Sequence, residues 1–384
     1  MFSLVRPECL YERPIPERHR IVFYIGHVDA FDWNLVTGHA VPLPGFAPEL
    51  DRLFAFGIDP EVGAARTDGP EDWPELEHVY EYSNRVRNEI DCVWEQVPEQ
   101  LRHVALEHRL MHAETLAYML HAMSPEMLIR PAMGEPVLER ESRSRSEVVP
   151  VGSGQAVLGR DPTEGFGWDN EFGRHTINVP AFGIDRYKVT NGEYLEFVRA
   201  GGTRPHFWRE RGGNWHLRRM FDEVALPPDW PVYVTLDQAQ AYAQWRGAQL
   251  PSEAQWHRAA FGDSDAPYPW GVREPSPDLG NFDSVLWDPV PVTAHPQSRA
   301  WSGAEQLSGN GWEWTCSPFR PFPGFERFSF YPGYSADFFD DNHFVLKGAS
   351  PRTDAVFLRR SFRNWFRHDY PYVFATFRCV HNLA

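Results

Sequence analysis

Apolar residues recur at every third or fourth position through residues 18–36, 75–96 and 99–123, the spacing that gathers them on one face of a helix. A shorter stretch of the same kind, 49–56, supplies a fourth candidate helix. Pro- and Gly-containing connections join these stretches, and long helices joined by short links predict an up-down four-helix bundle.

The pattern then changes. From 131 to 154 the chain is polar and charged (ending in EPVLERESRSRSEVVPVGSG), which predicts a linker between a first domain at 1–130 and a second at 155–384. The second domain mixes strand-like runs such as 175–182 with short helices. Three helix starts carry a capping box, in which Ser or Thr is followed three residues later by Glu or Gln: Thr190 with Glu193, Thr235 with Gln238, and Ser252 with Gln255. The intervening stretch 261–307 is too irregular for a simple connection, and loops of that length wrap a core or carry function. No internal repeat is visible. The expected fold class is α+β.

Composition adds to this picture mainly through its aromatics. Fifteen Trp and 27 Phe stand beside 34 Pro and 29 Gly, as expected where large side chains pin irregular backbone. The net charge of −16 argues against nucleic acid or an anionic membrane as partner, because both select a basic surface. Cys9, Cys92, Cys316 and Cys379 lie far apart with no CxxC pair, which is neither a disulfide framework nor a zinc ribbon. The opening twenty residues carry charges throughout and show no apolar signal-peptide core. No run of about eighteen apolar residues occurs. A cytoplasmic protein is therefore expected.

Chemistry concentrates in the first domain. In EHRLMH, His108 and His112 stand one helical turn apart on one face, close enough to grip one metal ion. Alone, such a pair is weak evidence. His27 strengthens it, because it sits mid-helix in IVFYIGHVDAFDWNL beside Phe23, Tyr24, Phe31 and Trp33, where a buried imidazole needs a partner. Facing helices of a bundle can aim such side chains at one central site. Three neutral imidazoles suit Zn, Fe, Cu or Ni and leave coordination positions open. Asp32 and Glu114 are candidates to orient the rings as outer acceptors. His19, His39, His78, His103 and His121 read as structural or surface residues.

The stretch ERHRIVFYIGHVDAFDWNLV followed by HRLMHAETL resembles the DinB-type bundle of the ergothioneine and ovothiol sulfoxide synthases. VTNGEYLEFV at 189–198, LPSEAQWHRAA at 250–260, GNGWEWT at 309–315, FVLKGAS at 344–350 and RRSFRNWF at 359–366 resemble the formylglycine-generating-enzyme domain, a C-type-lectin-like fold. Together they cover nearly the whole chain. The resemblance implies an Fe(II) site in which His27, His108 and His112 are the ligands. There O2 and a thiol are used to couple sulfur oxidatively to the imidazole ring of hercynine. In FYPGYS, Tyr331 and Tyr334 match the segment that supplies an active-site tyrosine, a phenol able to donate a proton or an electron during coupling. Asn364 and Trp365 match residues holding the betaine end of hercynine, where an aromatic face attracts a quaternary ammonium.

Departures from the family pattern bear on the donor. Met111 stands where mycobacterial-type members carry Gln, and Phe366 where they carry an Asp that binds γ-glutamylcysteine. Of two arginines in the loop between bundle helices, GAARTDGPEDWP retains Arg66. Arg85 and Arg87, in YSNRVRNEID, read as a solvated helix stripe, the alternative being that they face the site. Loss of charged anchors disfavours a charged dipeptide. Two donors are then expected: a neutral seleno-sugar, as in the selenoneine synthases that resemble this family, with a slight preference, or free cysteine. The expected partners are hercynine, the thiol or selenol donor and O2. A copper-dependent formylglycine-generating enzyme is a rival reading, for which only Cys316 and Cys379 are available in the second domain. A non-enzymatic lectin-like binding module is another, and it would make the three histidines dispensable.

Overall fold

The computed structural model describes residues 1–55, 66–132 and 147–383. The chain divides into two compact units, Met1–Ala132 and Met133–Ala384.

In the first unit the helices are α1 (Ile21–His39), α2 (Pro48–Leu53), α3 (Leu76–Val93) and α4 (Glu99–Ala122). They follow the apolar periodicity, although the fourth expected helix, α2, is only six residues long and position 56 lies outside the described residues. The expected one-sided face of α1 is corrected. This helix is buried almost all round, from Ile21 through Ala30 and again at Asp32, Trp33, Leu35 and Val36. It is the central rod, against which α2, α3 and α4 pack. A helix buried on almost every side loses its apolar stripe, and its polar residues His27, Asp29 and Asp32 are interior ones.

The second unit begins with strands β1 (Val148–Val151), β2 (Gly154–Leu158), β3 (His175–Val179) and β4 (Phe182–Asp185). Helix α5 (Asn191–Arg199) follows, then a three-stranded antiparallel sheet of β5 (Trp208–Arg211), β6 (Asn214–Arg218) and β7 (Glu223–Ala225). Helices α6 (Leu236–Trp245) and α7 (Glu253–Phe261) precede β8 (Gly311–Pro318), β9 (His343–Ala349), β10 (Asn364–Arg367), β11 (Ala375–Thr376) and β12 (Val380–His381). The order β10-β9-β8-β11 forms the largest sheet, β1-β4-β12 a second, and β2-β3 a hairpin beside α7. The core there gathers Val149, Leu158, Ile184, Trp256, Phe261 and Leu307.

All three capping boxes form: Thr190, Thr235 and Ser252 each accept from the backbone N–H three residues on, and the Glu or Gln there bonds back. The strand run 175–182 is divided, because Pro180 cannot donate to a ladder; β3 stops at Val179 and β4 starts at Phe182. Residues 148–151, expected inside the linker, pair with β4. Their alternation of exposed and buried positions is short and contains Pro150, a weak strand signal. The expected linker residues 133–146 lie outside the described ones. Among the described residues no helix is long and apolar enough to cross a membrane.

The GNGWEWT motif fastens the long irregular loop. Asn310, at φ 64°, turns its amide onto the N–H and C=O of Val290 and onto Gln306. Three residues on, the fully buried Glu313 receives Lys188 Nζ at 2.5 Å, Arg378 Nη2 at 2.7 Å and Trp256 Nε1 at 2.9 Å. The two cations hold its carboxyl below the usual range against the opposing effect of burial. Glu313→Gln leaves those cations facing a neutral amide in a dry core. It should lower stability by about 3–5 kcal/mol, read as a lower denaturation midpoint of the full chain; a midpoint unchanged from wild type would show that the network is energetically neutral.

Candidate metal centre

His27 lies on α1, and His108 and His112 lie on α4. All three are buried, and one nitrogen of each lies within 4.8 Å of the other two. This is the one group of three or more His, Cys, Asp or Glu side chains among the described residues with metal-binding spacing. The Nε2 atoms of His108 and His112 are 3.1 Å apart. Two nitrogens bound to one ion at about 2.1 Å and at right angles would be separated by about 3.0 Å, so the pair fits a shared ion.

The orientation of His27 comes from the backbone. Its Nδ1 stands 2.6 Å from the carbonyl oxygen of Phe54, just beyond α2. A proton there is donated to Phe54 and leaves Nε2 as a lone pair. That atom is buried with no partner among the described residues, the state a ligand nitrogen requires. Gly26 makes the approach possible: a Cβ there would come within 2.6 Å of the Phe54 ring.

Aromatic side chains enclose the three rings. Phe23 stacks on His27 at 4.7 Å and Phe31 on His108 at 3.5 Å, while the Tyr24 ring lies 5.8 Å from His112. Burial depresses the basicity of all three imidazoles. His27 falls to about 4, opposed only by the Phe54 hydrogen bond. His108 and His112 fall well below the normal range, through burial first and the neighbouring histidines next. Neutral imidazoles are what a cation binds. Three of them leave coordination positions for small molecules. The residues therefore fit a catalytic divalent metal.

Asp32 does not orient a ring; its carboxylate receives Arg109 Nε at 2.6 Å. Asp29, which the sequence reading passed over, is fully buried and receives Arg109 Nη2 at 2.7 Å and Arg87 through Nε and Nη2 at 3.0 and 2.8 Å. Arg87 is thus an ion-pair partner of a buried carboxylate, not simply part of a solvated stripe. Arg85 does fit that description, half exposed and 4.1 Å from the Phe46 ring centroid. Burial pushes Asp32 up to about 7 against the pull of Arg109. The sequence signal was available: Asp29 and Asp32 stand three apart in an otherwise apolar helix, and Arg109 follows His108. Phe54 left no such signal, because its contribution is a main-chain oxygen.

The remaining candidate residues divide between the units. Met111 and Glu114 are half-buried on α4, and Arg66 is half-buried directly after the undescribed 56–65. In the second unit Tyr334 is buried, stacked on Trp168 at 3.9 Å and edge-on to Trp365 at 5.3 Å. Tyr331 is half-buried, its ring 5.5 Å from that of Tyr334. On β10, Asn364 Oδ1 accepts from the Trp365 backbone N–H, Trp365 stacks on Phe319 at 4.2 Å, and Phe366 stacks on Tyr370 at 5.5 Å. Trp168 and Asp169 join this cluster unforeseen, Asp169 accepting from Ser335 Oγ at 2.6 Å. Cys316 and Cys379 are free, and burial raises the Cys379 thiol well above its ordinary value, which disfavours the thiolate that a copper pair needs.

Comparison with known proteins matches residues 135–383 to the Sulfatase-modifying factor enzyme 1-like domain. The "Hercynine oxygenase" of Mycolicibacterium smegmatis is 33% identical over 94% of this chain and 90% of its own. That of Mycobacterium tuberculosis is 41% identical, over 56% of each chain. "Ergothioneine biosynthesis protein 1" of Neurospora crassa is 26% identical over 99% of this chain, which spans 56% of that longer protein.

The Phe54 contact generates a test. Gly26→Ala should displace the Phe54 ring and its carbonyl and weaken retention of Fe(II) or Zn(II) by about 10–100-fold. Competition with a colorimetric chelator measures this, with circular dichroism showing helix content retained. Wild-type affinity in a folded variant would remove Phe54 from the site.

Proposed function

The chain belongs to the hercynine oxygenase family of ergothioneine-type sulfoxide synthases, and from that premise we propose that it is a non-heme, Fe(II)- and O2-dependent enzyme coupling a chalcogen donor to the imidazole carbon of hercynine. The observation that carries the reading is the dry three-histidine cluster with the unpartnered His27 Nε2. Bound there, iron supplies the activation of O2 and a place for the donor's sulfur or selenium.

The chain's own groups have separable roles. His27, His108 and His112 hold the ion as neutral donors, and Phe54 keeps the His27 tautomer. Phe23, Phe31 and Tyr24 exclude water, which limits unproductive release of oxidising equivalents. Asp29 and Asp32, bridged by Arg109, hold α1 against α4 beside the ligands. In the second unit Trp365 is the proposed aromatic face for the trimethylammonium group, with Asn364 beside it. Tyr331 is the proposed phenolic proton donor; its partial exposure suits that role better than Tyr334, which is packed between Trp168 and Trp365.

The donor we propose is a neutral seleno-sugar, giving a C–Se bond. The observation behind it is Phe366, whose ring lies flat on Tyr370 where charged-dipeptide members of the family have a carboxylate. C–S coupling with cysteine is the second reading, favoured by relatives named for hercynine and ergothioneine chemistry.

His108→Ala should abolish iron binding and turnover while thermal unfolding of the second unit is retained; coupling at the wild-type rate would end the triad assignment. Tyr331→Phe should shift products from coupling towards donor oxidation, and unchanged ratios would remove that tyrosine. Iron-loaded protein given hercynine and O2 with cysteine, γ-glutamylcysteine, a thio-sugar and a seleno-sugar in competition should form mostly the selenium product by mass spectrometry. A dominant cysteine adduct would replace the first donor reading by the second.

A further inference from the structure

The second unit holds a cavity of about 470 Å³ lined by Arg160, Arg174, Arg359, Arg360, Glu164, Asp265, Tyr268 and Ser361, among others. Four guanidinium groups in one concavity are unusual in a chain of net charge −16, whose long-range field repels anions. Two lining carboxylates, Glu164 and Asp265, oppose them. Buried Glu171 behind the wall takes up Arg359 through paired contacts, Nη2 to Oε1 at 2.5 Å and Nε to Oε2 at 2.9 Å. With that pair neutralised, three guanidinium groups face two carboxylates and one positive charge remains.

The carboxylates do not saturate the other arginines. Arg174 Nη1 meets Glu164 at 2.6 Å, but its contact to Asp265 is 4.0 Å long. Arg360 Nη1 donates to the carbonyls of Ser264 and Ala266 at 3.1 and 3.4 Å and reaches Asp265 only at 4.0 Å. Asp265 itself is almost fully exposed, so its charge is screened. Arg160 spends its terminal nitrogens on the carbonyls of Phe166 and Glu164 and keeps a buried Nε with no partner among the described residues. Burial first, and the Arg174 charge, weaken the hold of Arg360 on its proton, against the opposing pull of Asp265 and Glu164. Planar guanidinium forks match tetrahedral and carboxylate oxyanions. The volume lies within the range of small-ligand sites.

We propose that this cavity is a binding site for a small oxyanion, such as a phosphate monoester or a carboxylate, held chiefly by Arg174 and Arg360. It uses no residue assigned to metal or hercynine, so it stands or falls apart from the reaction proposed above.

Calorimetric titration of the full-length, iron-loaded protein tests it, with inorganic phosphate, a hexose phosphate and malonate as separate probes. One saturable site is expected for at least one probe, and the tightest probe distinguishes free phosphate, phosphate ester and carboxylate as the source. Arg174→Ala and Arg360→Ala should each weaken it about tenfold or more, since each removes a charge-assisted contact. Asp265→Asn should tighten it by removing a competing carboxylate, a gain that misfolding cannot imitate. His108→Ala should bind the probe as wild type does. Absence of saturable binding for all three probes, or affinities that Arg174→Ala and Asp265→Asn leave unchanged, would overturn the proposal.

Discussion

A buried imidazole needs a partner for its ring nitrogens, and the first unit is arranged around three such rings. The backbone meets one need, through the Phe54 carbonyl on His27 Nδ1. It leaves His27 Nε2, beside the other two histidines, without a donor among the described residues. The aromatic sheath that keeps the rings neutral also keeps water from satisfying that nitrogen. A cation with open coordination positions answers the remaining requirement, and the chemistry argued for this protein descends from that deficit.

Holding the deficit in place has a structural cost. Asp29 and Asp32 are buried in the central helix, and their desolvation is offset by Arg87 from α3 and Arg109 from α4. A buried ion pair contributes little net stability relative to apolar packing, but it penalises any arrangement that separates its members. In this unit that penalty falls on rotation or sliding of α4 along α1, the movement that would part His27 from His108 and His112. The ion cluster therefore acts on register, and through register on the spacing of the ligands.

The second unit solves a different problem, that of long irregular loops in a dry interior. Asn310 satisfies main-chain groups of the loop, and Glu313 collects three donors from separate parts of the chain. On this base the aromatic cluster of Trp168, Tyr334, Trp365 and Phe319 is ordered by stacking. An arginine-lined cavity stands out for the opposite reason, because its charges are left incompletely matched. Incomplete matching is tolerable at a concave, partly wetted surface where an anion can complete it.

Much of this was legible in the chain itself. Local rules need only neighbouring residues, so helix positions, the three capping boxes and the histidine spacing on α4 could be read directly. The α+β class and the division into a helical part and a loop-rich part followed from a change in periodicity. The tertiary structure decided what depends on residues distant in sequence. It made α1 a rod buried on almost every side, gave Asp32 to Arg109 instead of to an imidazole, and paired the half-exposed Arg87 with buried Asp29. It also brought a main-chain oxygen from Phe54 to His27 and gathered Arg160, Arg174 and Arg360 around one cavity. The physical reason is common to all of these. Side-chain type sets what a group can bond to, whereas burial and long-range contact set what it must bond to, and only folding fixes the second.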